Sequence, residues 1–136
     1  MSNMYFLTVR YRYYFFFRLL CLALALALIF SIFSLADSSL ATGENRVNPP
    51  MDKVLHAGIY GSIAVLIKFS GMVKRSVTVW FLVIGIGVLD ELHQAMIIGR
   101  QSSVADLMAD AVGVSLGIYI MYVLTKLIVV RHDAKF

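Results

Sequence analysis

The chain has 136 residues, 60% of them hydrophobic and only 15% charged, with a mean hydropathy of +0.83. Soluble domains carry roughly 25% charged and 45–50% apolar residues, so an ordinary soluble domain is excluded and a single membrane domain over residues 1–136 is expected. The net charge of +4 is no nucleic-acid signal, because the 12 basic residues gather at segment ends and form no stripe.

A membrane-crossing helix needs about 20 mostly apolar residues. The first such run is 19–36, "LLCLALALALIFSIFSLA", preceded by Arg10, Arg12 and Arg18 and by the aromatics Tyr13, Tyr14 and Phe15 to Phe17. Those aromatics read as an interfacial belt. Cys21 lies within the run, has no partner cysteine and reads as a small apolar filler. The "SLA" before Asp37 resembles a secretory cleavage site, but the apolar run exceeds the roughly 7–15 residues of a signal peptide, so an uncleaved span is expected. The second span, 54–69, is short and follows Pro49-Pro50, which fix its start. The third is 77–98 and the fourth 107–130. All four read as helices because lipid offers no partner to an open backbone. The fold class expected is therefore all-α, an integral membrane four-helix bundle.

The basic residues orient it. Arg10, Arg12, Arg18, Lys68, Lys74, Arg75, Lys126, Arg131 and Lys135 fall on one side, and only Arg46, Lys53 and Arg100 on the other. By the positive-inside rule both termini are cytoplasmic. Of the eight acids, Asp37, Glu44, Asp52, Asp90, Glu91, Asp106 and Asp110 then belong to the outer half, and only Asp133 to the inner.

Spacing sorts these polar residues onto faces. Asp52, His56 and Tyr60 recur every four residues on the second helix, with Lys53 beside them. Asp90 and Gln94 share a face of the third helix, and Glu91 forms an adjacent stripe, roughly 12 Å below an outer end at Ile98. Asp106 and Asp110 share a face at the start of the fourth, where a carboxylate suits the positive end of the helix dipole. Gly113 and Gly117 continue that face in a small-xxx-small pattern, and Gly85 and Gly87 are expected to pack similarly. The acids should thus point into the bundle, where Lys53, His56 and Arg100 lower the cost of about 2.5–3.5 kcal/mol for a charge at the bilayer centre. Together they outline a polar cup open to the outside. His93 reads as a headgroup contact, and Trp80 and Tyr119 as packing or interface residues.

"DKVLHAGIY" (Asp52, Lys53, His56, Tyr60), "DELHQ" (Asp90, Glu91, Gln94), "GR" (Gly99, Arg100) with Ser103 and Asp106, and Gly113 with Gly117 resemble, in order and spacing, the VanZ-like family of small bacterial membrane proteins. The likeness covers residues 52–117 and departs at Asp110, where it implies Asn. It implies a four-span protein of the bacterial inner membrane and, for the founding member of the family, a link to glycopeptide (teicoplanin) resistance. It does not imply a settled biochemical activity, and it leaves the cofactor unknown.

Four readings of the acids compete. A structural network can pin helices together. A non-catalytic envelope module can hold a lipid-linked or anionic ligand, with Lys53 and Arg100 on its charge. An enzyme can use Asp90, Glu91 and His56 as acid and base, or a divalent metal, although no tight metal spacing such as H-E-x-x-H is present. A proton- or ion-coupled transporter would require a homo-oligomer and an inner-half path that the sequence lacks. The envelope module ranks first and the enzyme second.

Overall fold

The computed structural model describes residues 2–36, 49–97 and 102–133. They form four helices and no strand: α1 (Ser2–Ala36), α2 (Pro49–Ser70), α3 (Ser76–Met96) and α4 (Val104–Asp133). α1 begins 17 residues before the apolar run read from sequence, because nothing between Ser2 and Ala36 breaks it: the stretch has no Gly or Pro. The prolines that stop a helix interior suit its first turn, and α2 starts at Pro49. α3 stops at Met96, two residues before the expected end. Asp90 therefore lies about 9 Å below the last helical residue rather than 12 Å.

Three helices contain stretches long and apolar enough to cross a membrane: Tyr13–Leu35, Ser76–Met96 and Val104–Leu127. α2 is less apolar by composition, and its place in the bundle explains why it can be. It touches each of the other three helices, whereas α1 and α4 do not touch among the described residues. The helix packed most extensively against its neighbours can be the least apolar.

The helices run up, down, up, down. Lys53 meets Asp106 and His56 meets Asp110, so α2 and α4 are parallel. Phe17 packs edge-on to Phe69 with ring centroids 5.9 Å apart, so α1 is antiparallel to α2. Phe33 lies 5.5 Å from the His93 ring, placing the C-terminal ends of α1 and α3 together. Arg18 marks the opposite end. Its Nε donates to the Ser70 carbonyl at 2.6 Å, capping α2 with a cation where the helix dipole is negative. Gly71, with φ of 66°, turns the chain beneath that guanidinium.

Between the two ends lies an apolar core of Ala25, Ile63, Ala64, Ile67, Val79, Val83 and Val114. Cys21 is buried, as a small filler should be. The outside is as apolar as the inside: Leu26, Phe30, Phe81 and Leu116 are all exposed. An apolar exterior around a partly polar interior is the pattern expected of a bundle solvated by lipid.

Candidate functional site

The N-terminal ends of α2 and α4 and the C-terminal end of α3 converge at the end opposite Arg18. The four-residue spacing of Asp52, His56 and Tyr60 aims successive turns of α2 at α3 and α4. Lys53 Nζ bonds Asp106 Oδ1 at 2.5 Å. One turn deeper, His56 Nδ1 lies 2.9 Å from Asp110 Oδ1. A further turn down, Tyr60 OH donates to Asp90 Oδ2 at 3.1 Å. Glu91 Oε2 accepts from the backbone N–H of Ser103, the residue before α4, at 2.6 Å. Lys53, His56 and Tyr60 of α2 thus each take a different acid of α3 or α4, and depth in the bundle sets the pairing.

Asp90 and Glu91 sit near the C-terminus of α3, where a helix dipole disfavours anions. The N-termini of α2 and α4 reach the same place with the opposite polarity, and the Ser103 amide on Glu91 is one direct expression of that. Lys53 precedes the apolar stretch of α2 that begins at Val54. Its hydrogen bond to Asp106 raises the ammonium above the ordinary lysine range and keeps it charged.

Four of the acids are buried: Asp90, Glu91, Asp106 and Asp110. Asp52, Lys53, His56 and Gln94 are half-buried, and Tyr60 is buried. Asp90 Oδ1, Glu91 Oε1 and Asp110 Oδ2 have no hydrogen-bond partner among the described residues. Arg100, expected as an anion clamp, lies outside the described residues, as do Asp37, Glu44 and Arg46.

Glycines bring the acid-bearing helices together. A Cβ on Gly117 would come within 2.7 Å of the Gly61 carbonyl oxygen, and one on Gly61 within 2.8 Å of that of Gly113. A Cβ on Gly87 would meet Asp110 Oδ2 at 2.8 Å, so Gly87 makes room for that carboxylate against α3. Gly85 faces open space, with nothing within 4 Å of a Cβ. Two residues subtend about 200° on a helix, so Gly85 and Gly87 cannot serve the same neighbour. The reading of Gly85 as a packing glycine is corrected on that ground.

The family match extends this likeness along the chain: VanZ/LLP1 covers residues 4–126 of 136. The chain belongs to the VanZ/LLP1 family. No curated protein matches it, and no solved structure does. Within this VanZ/LLP1 chain the sequence reading passed over three contributors. Gly61, four residues after Ala57, forms the α2 half of the small-residue contact with Gly113 and Gly117. Its signal was the matching small-xxx-small spacing on α2. Ser115 Oγ accepts from Trp80 Nε1 at 3.1 Å, giving the indole a partner on α4. Arg18 caps α2, which positive-inside counting alone could not reveal.

The Tyr60–Asp90 pair gives a direct test. Tyr60→Phe keeps the ring and removes the only donor recorded for Asp90 among the described residues. We expect a loss of about 1–3 kcal/mol, the cost of stranding a buried polar group, read as a lower melting temperature of the detergent-solubilised protein. An unchanged melting temperature would mean that the hydroxyl contributes nothing to holding α2 on α3.

Proposed function

We propose that this VanZ/LLP1 protein is a multi-pass component of the bacterial inner membrane whose outward-facing cup binds the headgroup of a lipid-linked envelope ligand. The observation that carries the reading is the set of unpartnered oxygens on Asp90, Glu91 and Asp110. A network serving only to pin helices gains from satisfying every buried oxygen, and each one left open costs stability. Open carboxylate oxygens instead suit a headgroup rich in hydroxyl or amine donors. Lys53 answers its anionic linkage, and Arg100, outside the described residues, is the further cation that the sequence offers.

A second feature supports a lipid-linked ligand. An apolar groove of about 530 Å³ runs between α2 and α4, lined by Ala57, Gly61, Val65, Gly113, Gly117 and Ile120. It starts one residue from His56 and leads away from the acids along the bundle, as a hydrocarbon tail would. The positive-inside rule places the acid end outward and both termini in the cytoplasm. An envelope role of this kind extends to altered susceptibility to glycopeptides of the teicoplanin type.

The enzyme reading ranks second and rests on His56–Asp110, a carboxylate-oriented imidazole of the kind general bases use. Asp90 and Glu91 would be its acids. No observation favours coupled transport.

The test is gentle purification followed by mass analysis of copurifying lipids. Wild type should retain a defined lipid-linked species, and Glu91→Gln, which preserves shape and the acceptor for Ser103, should lose it while remaining folded. Identical lipid profiles for the two proteins would reject the cup as a binding site.

A further inference from the structure

We propose that Asp52, His56 and Asp106 form a binding site for one divalent first-row transition-metal ion, such as Zn²⁺ or Mn²⁺, at the acid-bearing end of α2 and α4. Each of the three residues offers a ligand atom, and these atoms all lie within 4.8 Å of one another. The fold explains the convergence. Asp52 and His56 are one turn apart on the same face of α2, and Asp106 occupies the first turn of the parallel helix α4. Metal–ligand bonds of about 2.0–2.2 Å place ligand atoms roughly 3–3.5 Å apart, so closure on an ion requires rotamer adjustments of about an ångström.

The second observation is the partner of the imidazole. Asp110 is fully buried and its Oδ1 faces His56 Nδ1 at 2.9 Å. A carboxylate there fixes the proton on Nδ1 and leaves the Nε2 lone pair to coordinate, the carboxylate–histidine–metal arrangement. Asp110 also keeps its buried Oδ2 unpartnered. On the α3 side, Glu91 keeps Oε1 buried and unpartnered. Lys53 takes Oδ1 of Asp106 and leaves Oδ2 for the ion. A pair of helix-pinning ion pairs would account for Lys53–Asp106 and His56–Asp110. It would not account for Asp52 joining them, nor for the open oxygens around them.

The donor set selects the ion. One imidazole nitrogen with two or three carboxylate oxygens suits borderline divalent ions, and the absence of thiolate or thioether among these residues argues against Cu(I). The proposal does not depend on the lipid-linked ligand, since it concerns the ion alone.

The experiment uses the full chain in detergent, stripped with EDTA, desalted and titrated with ZnCl₂ and with MnCl₂, with bound metal counted by mass spectrometry. One ion per chain is expected at saturation for at least one of the two salts. His56→Ala and Asp52→Asn should each weaken binding by at least about 100-fold, and Asp110→Asn, acting through His56, by about 10–100-fold. Circular dichroism checks that each variant is folded. Because a variant can fail to fold, the wild-type protein with Mn²⁺, or with Cu²⁺ as a spectroscopic substitute, is also examined by electron spin-echo spectroscopy. Coupling to one imidazole nitrogen is expected. No saturable binding of either ion to folded wild type, or stoichiometric binding without imidazole coupling, overturns the site. Retention of the copurifying lipid would leave the proposed function standing in either case.

Discussion

Gly113→Ala is expected to be the most damaging small substitution in the molecule. A Cβ at this position would overlap the carbonyl oxygen of Ala57 and come within 2.6 Å of both its carbonyl carbon and its Cα. Backbone atoms in a helix cannot rotate aside as a side chain can, so α4 must move away from α2. Overpacking costs about 1–3 kcal/mol where side chains can yield, and a backbone collision belongs at or above the top of that range. In lipid, close packing is itself the principal force between helices, so separation also forfeits the contact that the substitution was made in. Detergent-solubilised Gly113→Ala should melt well below wild type or fail to accumulate in the membrane.

The comparison variants sharpen this result. Gly58 and Gly85 have nothing within 4 Å of an added Cβ, so alanine at either should be neutral or gain up to about 1 kcal/mol of helix propensity. Melting of Gly113→Ala within a few degrees of Gly58→Ala would reject the close α2–α4 contact. The contact also governs the polar cluster, because Lys53–Asp106 and His56–Asp110 bridge the same two helices within two turns of Gly113. Loss of metal or ligand binding in Gly113→Ala is therefore an indirect effect, and only variants within the cluster report on its chemistry.

Much of this arrangement was legible in the sequence, for a physical reason. Period-four recurrence of Asp52, His56 and Tyr60, and of Asp106 and Asp110, is a property of one helix and needs no tertiary information. Faces could be assigned, and polar faces in an apolar chain had to turn inward. Partner choice was not legible. Which acid takes His56 depends on the relative height of α2 and α4, and that height is set by where Gly61 meets Gly113 and Gly117. The pairing of His56 with Asp110 rather than Asp106 follows from this register. Helix ends were also poorly legible. α1 continues through Arg10, Arg12 and Arg18 because charge does not end a helix, although it does mark where an apolar run begins. Gly85 and Gly87 look alike in sequence, and only their opposite positions around α3 separate a packing glycine from an exposed one.

Asp90→Asn should make the protein more stable while impairing the ligand binding proposed for the cup. Asp90 is 1% exposed, accepts one hydrogen bond from Tyr60, and holds Oδ1 with no partner among the described residues. It stands near two further acids, Glu91 and Asp110, whose electrostatic influence it shares. A carboxylate at the centre of a membrane helix costs about 2.5–3.5 kcal/mol on insertion scales, and Asp90, nearer the end of α3, carries part of that cost. Asparagine has nearly the same shape, still accepts from Tyr60, and replaces the open oxygen with an N–H₂ that can donate to the neighbouring acids. The expected gain is about 1–3 kcal/mol, seen as a raised melting temperature. The Tyr60→Phe penalty should shrink when measured in the Asp90→Asn background, since contacting residues couple by about 0.5–3 kcal/mol. A functional group retained at the expense of stability shows this pattern: its neutral isostere folds better and works worse. If Asp90→Asn instead lowered the melting temperature, the carboxylate would have a stabilising role of its own, and the cup would be better described as a helix-pinning network than as a site.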